Sequence, residues 1–362
     1  MTTKTQYNAL QELTSKDLHL KNKIVMAPMT RSRAINNLPN DLMATYYGQR
    51  ASVGLIITEG TSPSPNGLGY SSIPGIYSNL QTDKWKKIST TVHKKEGKIF
   101  MQLMHTGRIS HKENMPEGAR ILAPSAVRPS GEMWTDQSGM QPFPIPEAMS
   151  LEDINQSINE FTQAAENAIN AGFDGIELHG ANGYLLEQFL NPEVNKRNDT
   201  FGGSLENRIR YVYEVTKAVV QRIGAKKVGI RLSPFNTFND MPLYDNVYET
   251  YQHLVEKLNS LDINYIHLVE GPSLNQDNGP SLLSKIREIF SNTIILNGGY
   301  DLERAEHAIS SGQADLISFG RPLISNPDFV ERLKNQWDIA EANPATFYSP
   351  GEKGYTDYPT FD

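Results

Sequence analysis

The sequence predicts a (β/α)8 barrel, a single domain over residues 1–362, on three observations. Eight short, β-branched, almost continuous apolar runs alternate with amphipathic stretches, the pattern of parallel strands buried on both faces. Eight β–α units in one chain of this length suit a closed barrel better than an open doubly wound sheet. The first run is also not followed by GxGxxG, which argues against a dinucleotide-binding Rossmann domain.

The runs, in order, are KIVMAP at 23, GLIITEG at 54, KIFMQLMH at 98 and GIELHG at 175. VGIRLS at 228, YIHLVEG at 265, TIILNGG at 293 and LISFGR at 316 complete the set. Between them, SLED at 150–153 and SLEN at 204–207 place Ser where a helix N-cap belongs, and the first adds the acidic third position of a capping box. After Ser150, the apolar residues Ile154, Ile158, Phe161, Ala165 and Ile169 keep helical spacing. After Ser204, Ile209, Val212, Val215 and Val219 do the same.

Three segments lie outside the alternation. LTSKDLHLKNK near the N-terminus reads as a short hairpin closing the bottom of the barrel. A Pro- and Gly-rich excursion, about residues 106–149, is the length of a functional lid or wall. The C-terminal segment, about 338–362, reads as ordered irregular chain rich in aromatics and turn residues, onto which Trp337 docks. Trp85 is read as a helix packing residue.

Composition narrows the classes. Hydrophobic residues are 38% and charged residues 21%, as in a globular rather than a disordered chain. No apolar run approaches membrane-helix length, and the N-terminus shows no secretory pattern, so a cytoplasmic protein is expected. Cysteine is absent, which excludes disulfides, thiol nucleophiles and Cys-ligated clusters. The net charge is −7 and the Lys and Arg residues are scattered, so no nucleic-acid stripe exists.

Chemistry in such a barrel belongs at the C-terminal strand ends. Read in order, these present Pro28-Met29-Thr30, Glu59-Gly60, Gln102 with His105, His179 with Asn182, Arg231, Glu270, Gly298-Gly299 and Gly320-Arg321. No strand ends in Lys, against a Schiff-base aldolase. There is no His-x-His pair and no carboxylate cage, so no metal is expected. Glycine-bearing ends on strands seven and eight, with Arg321, suit a phosphate, although such glycines also serve tight turns. Thr30, Gln102 and Arg231 offer a hydroxyl, an amide and a permanent cation, which a flat heterocycle with carbonyls and its own phosphate would satisfy. Flavin mononucleotide (FMN), held without a covalent bond, fits that description. A flavin-free hydrolase or isomerase using His179 and a carboxylate such as Glu59 is the alternative, and a flavin-bearing binding protein a third.

Longer strings carry a family resemblance. NKIVMAPMTRSRA, GLIITEGTSPSPNGLGY, QLMHTGRISH, HGANGYLLEQFLNPEVNKRNDTFGGSLENR, GIRLSPFNTFNDM and SFGRPLISNPDFVERL cover nearly the whole chain, which ends in TFYSPGEKGYTDYP. They resemble the Old Yellow Enzyme family of FMN-dependent ene-reductases, in particular the bacterial N-ethylmaleimide reductase type. The resemblance implies that NADPH or NADH reduces the flavin, and that hydride then passes from flavin N5 to an activated alkene. Expected substrates are α,β-unsaturated carbonyls, maleimides, nitroalkenes and nitrate esters, with the enzyme a monomer or homodimer.

It further implies that Pro28, Met29 and Thr30 wall the flavin ring and that Gly60 lets the chain pass close to it. Gln102 and Arg231 would address the pyrimidine edge, and Gly298, Gly299, Gly320 and Arg321 the phosphate. His179 and Asn182 match the family's two donors to the substrate oxygen, Tyr184 its proton donor, and Tyr70 and Tyr348 its pocket walls. Met104 departs from the Trp common in the family, which predicts a roomier pocket. Glu59 and Glu270 are expected to be structural.

Overall fold

The computed structural model describes residues 7–14, 18–271 and 278–361. Its centre is a closed barrel of eight parallel strands. These are β1 (Ile24–Met26), β2 (Leu55–Ile57), β3 (Ile99–Leu103), β4 (Gly175–Gly180), β5 (Val228–Leu232), β6 (Tyr265–Val269), β7 (Thr293–Asn297) and β8 (Leu316–Phe319). Each lies inside one of the eight apolar runs, and β8 closes the barrel by pairing with β1. The main outer helices are α1 (Asp41–Gln49), α2 (Asn79–His93), α3 (Leu151–Asn170), α4 (Leu205–Ile223), α5 (Val247–Ser260), α6 (Gly279–Ile289), α7 (Leu302–Ser310) and α8 (Phe329–Asn335).

The expected caps are present. The Ser150 hydroxyl accepts from the Asp153 N–H while the Asp153 carboxylate accepts from the Ser150 N–H. The Ser204 hydroxyl accepts from the Asn207 N–H and starts α4. Of the five apolar positions named on α3, Ile154, Phe161 and Ala165 are buried, and Ile158 and Ile169 lie half-buried at the edge of the stripe. All four named on α4 are buried.

Side chains alternate across each strand. Outward residues such as Ile176, Leu178, Ile230 and Leu296 join the helix-facing core. The inward layer at the bottom is Val25, Leu55, Ile57, Phe100, Tyr265, Ile295 and Leu316, and Leu18 and Leu20 from the N-terminal hairpin pack onto it. That hairpin pairs Leu13–Thr14 with His19–Leu20, so it plugs the barrel bottom as expected, with its turn at 15–17 outside the described residues. Two inward glycines make room for the large rings. A Cβ on Gly229 would come within 2.2 Å of the Tyr265 ring, and one on Gly175 within 2.5 Å of Phe100.

The excursion folds as a wall. A hairpin (Glu132–Thr135 with Gly139–Pro142) and a parallel pair (Leu122–Ala123 with Glu147–Ala148) form within it. Its Ile109, Met133 and Phe143 join a cluster with Met104 and Tyr184 above the strand ends. The C-terminal segment is bound by buried arginines. Arg31 donates to the Phe347 and Gly354 carbonyls, and Arg33 to those of Thr346, Phe347 and Lys353. Trp337 stacks on Phe361 at 4.5 Å, while Trp85 is buried and donates to the Gly75 carbonyl. No helix among the described residues is long and apolar enough to cross a membrane.

Candidate active site at the barrel mouth

β4 ends in His179 and Gly180, and the chain then turns sharply. Asn182 has φ +60° and Gly183 φ +75°, both left-handed. A Cβ on Gly183 would lie 2.8 Å from the Phe238 carbonyl oxygen and from Met241, so only glycine fits there. The turn is pinned from below. The Gly183 N–H donates to Glu187 Oε2 at 2.5 Å, the Tyr251 hydroxyl to Oε1 at 2.8 Å, and Ser233 bridges Glu187 to the Asn182 N–H. Asn182 thereby spends its backbone, and its side-chain amide bonds no described residue.

Burial pushes the Glu187 carboxyl up to about 7, against the pull of those donors. The folded chain therefore binds this proton more tightly than the unfolded chain. The associated stability is full below about pH 4.5 and is lost as pH rises through about 7. Glu187→Gln is expected to flatten the fall in unfolding free energy between about pH 5 and pH 8 by on the order of 2–3 kcal/mol. Urea titrations at both pH values check this, and parallel profiles for variant and wild type would refute it.

Tyr184 follows the turn. Its hydroxyl lies 3.0 Å from that of Tyr70, and its ring meets His179 edge-on at 5.0 Å between centroids. Burial raises the Tyr184 pKa, so the phenol is protonated at neutral pH. Burial, then the nearby Arg231, hold His179 well below the ordinary imidazole value, so the ring is neutral and carries one N–H. Its Nδ1 is buried without a partner. Tyr348 is 66% exposed yet close enough to raise the pKa of both tyrosines, at the rim of the same mouth.

Below these residues a hydrogen-bonded chain circles the barrel interior. Gln102 Nε2 donates to Glu177 Oε1 at 2.8 Å, and His267 Nδ1 lies 2.9 Å from Glu177 Oε2. His267 Nε2 lies 2.7 Å from the Ser318 hydroxyl. The Ser318 carbonyl accepts from Asn297 Nδ2, and Asn297 Oδ1 accepts from Arg231 Nη2 at 2.8 Å. Six strands contribute. Glu177, His267 and Asn297 were not singled out in the sequence, although a period of two places Glu177 on the same face as His179.

The strand ends supply the rest. Pro28, Met29 and Thr30 are half-buried after β1, and the Thr30 hydroxyl bonds no described residue. A Cβ on Gly60 would come within 2.5 Å of Met104 Sδ, so Met104 fills the space beside Gly60. At β7, Gly299 has φ +63°, and a Cβ on Gly298 would lie 2.6 Å from the Glu270 carbonyl oxygen. Gly320 follows β8, and the exposed Arg321 beside it pairs with no described residue. Arg304, missed in the sequence, donates to the Gly298 carbonyl and to Glu270, and lies 4.0 Å over the Tyr300 ring.

The two glutamates at strand ends are structural. Glu270 pairs with Arg304, and Glu59 accepts from the Tyr47 hydroxyl and the Arg31 N–H, with no bond to His179. A His179–Glu59 hydrolytic pair is therefore not formed. His105 is also structural, since its Nδ1 accepts from the Gly107 N–H and burial pulls it down to about 3. Among the described residues, no three His, Asp or Glu side chains gather as a metal site.

The residues present fit FMN. Among the described residues, Arg231 Nε is buried without a partner and the Thr30 hydroxyl makes no bond, and a Cβ-poor, cationic patch at β7 and β8 suits a phosphate. A barrel mouth of this make-up defines a flavin-dependent oxidoreductase. The chain belongs to the NADH:flavin oxidoreductase / NADH oxidase family, whose model matches residues 11–339, and within it to the Old Yellow Enzymes, which use FMN and a nicotinamide.

It is 41% identical over 345 residues to a probable flavin mononucleotide-dependent alkene reductase of Leishmania infantum, covering 94% of each chain. It is 40% identical to 12-oxophytodienoate reductase 7 of Oryza sativa subsp. japonica, over 94% of this chain and 91% of that one. Among solved structures, morphinone reductase superposes with a TM-score of 0.94 at 38% identity, covering 100% and 98% of the two chains. The Old Yellow Enzyme homologue of Zymomonas mobilis gives 0.93 at 37% identity, covering 97% and 99%.

Proposed function

We propose that His179, Asn182 and Tyr184 carry out the substrate half of an FMN-dependent reduction of activated C=C bonds by NADPH or NADH. When bound, FMN would supply hydride, received from the nicotinamide and passed to the alkene's β-carbon. Thr30, Gln102 and Arg231 hold its ring, with Pro28 and Met29 as wall, and Gly298, Gly299, Gly320 and Arg321 hold its phosphate.

The observation that carries this reading is the neutral His179 set edge-on against the protonated Tyr184, on the same turn as Asn182, whose side-chain amide bonds no described residue. Reduction of a conjugated alkene builds negative charge on its carbonyl or nitro oxygen. Two neutral N–H donors on that oxygen lower the barrier as an oxyanion hole does. Tyr184 then gives its proton to the α-carbon.

Tyr70, Met104 and Tyr348 line the pocket. The thioether of Met104 fills less space than an indole, so bulky maleimides and cyclic enones are accommodated along with nitroalkenes and nitrate esters. The purified protein should take up FMN and turn yellow, bleach with NADPH or NADH, and recover its colour with cyclohexenone or N-ethylmaleimide. Protein that bleaches but reoxidises no faster with either acceptor than without one would overturn the reading.

A further inference from the structure

Glu177 is a carboxylate at 0% exposure in the barrel interior, where an ion needs a reason to be. Its oxygens face Gln102 Nε2 at 2.8 Å and His267 Nδ1 at 2.9 Å. Burial keeps His267 neutral, with Glu177 as the opposing pull. The consistent arrangement is then Nδ1–H toward Glu177 and the Ser318 hydroxyl donating to Nε2. Both Glu177 oxygens accept, which is the pattern of an ionised group. Glu177 is also the charge that most offsets the burial of Arg231.

Two consequences follow for the groups above. Gln102 has its NH2 committed to Glu177, so its carbonyl oxygen is the end left for a ligand. Arg231 is not a bare cation, because a fixed anion lies one layer beneath it.

We propose that Glu177 is a positioning residue for the flavin: it sets which end of the Gln102 amide meets the pyrimidine edge, and as counter-charge to Arg231 it sets how far the site favours reduced over oxidised FMN. This rests on Gln102 and Arg231 meeting that edge. The flavin edge carries an N3–H donor, which the free Gln102 carbonyl matches. In Glu177→Gln the chain loses an acceptor and gains a donor. With His267 still donating to the new amide oxygen, the introduced NH2 keeps its contact with Gln102 only if the Gln102 amide turns over. Gln102 then presents its own NH2 to the ring.

The test is made on holoenzyme by FMN titration and by the midpoint potential of bound flavin. Glu177→Gln should weaken oxidised FMN about tenfold and raise the ratio of oxidised to reduced Kd about tenfold, an upward shift of about 30 mV for a two-electron couple. Glu177→Asp, which keeps the charge, should leave that ratio near wild type. Arg231→Met should move it the opposite way.

An unchanged ratio in Glu177→Gln, with Arg231→Met shifted, overturns the role of Glu177. An unchanged ratio in Arg231→Met overturns instead the placement of the pyrimidine edge. If Glu177→Gln does not fold, wild-type holoenzyme carrying FMN labelled with 15N at N3 decides. A protonated N3 bonded to a carbonyl acceptor supports the proposal, and an N3–H without one overturns it.

Discussion

Tyr184→Phe is expected to slow alkene reduction by about 10²- to 10⁴-fold, the contribution of a positioned general acid, and to leave flavin reduction by the nicotinamide near its wild-type rate. The asymmetry follows from what the hydroxyl does. It is buried and protonated, and it lies 3.0 Å from the Tyr70 hydroxyl, with the Asn239 side chain also within reach. Burial raises both phenols, but Tyr70 is held well above the ordinary value, whereas contact with Tyr70 pulls Tyr184 down.

Of the pair, Tyr184 is therefore the better placed to act as the proposed proton donor, with Tyr70 able to donate to the oxygen left behind. Tyr70→Phe should accordingly cost less, about tenfold, through the loss of one charge-assisted hydrogen bond. Stopped-flow absorbance separates the two half-reactions. Equal losses in both for Tyr184→Phe would remove it as the proton donor.

The barrel was legible because its strands are buried on both faces, so each appears as an apolar run whatever its neighbours. All eight strands fall inside those runs, and Ser150 and Ser204 cap helices where the pattern places them. Less legible were polar residues whose meaning depends on distant partners. Glu187 lies within LLEQF and reads as the wet face of a helix, yet it is buried, and it binds Ser233 and Tyr251 from 46 and 64 residues away. Glu177, His267 and Asn297 hide inside runs that read as apolar, and only their contact around the barrel axis turns them into one chain. Gly60 also has a partner that its own stretch does not reveal. Its missing Cβ makes room for Met104, a side chain 44 residues later, before any ligand is considered.

His179→Ala and Asn182→Ala should each lower the rate of alkene reduction by about 10²- to 10³-fold, as loss of one preorganised donor to a developing oxyanion does. Unlike Tyr184→Phe, they should also slow flavin reduction if, as proposed, the nicotinamide enters the same mouth and uses the same donors. The two losses should fall short of multiplying in the double variant, since both groups address one oxygen.

The neutral state of His179 adds a pH criterion. Its pKa is depressed well below the ordinary imidazole value, so the ring does not titrate between about pH 6 and 8. The alkene half-reaction should then show no imidazole limb in that range, and a wild-type limb near pH 6.5 that disappears in His179→Ala would contradict the assignment. The arrangement is physically consistent. A cationic imidazole beside the buried Arg231 would set two like charges in a low-dielectric mouth, whereas a neutral one gives a directed N–H. Arg231 keeps the charge, and His179 stays a neutral ring with one N–H to direct.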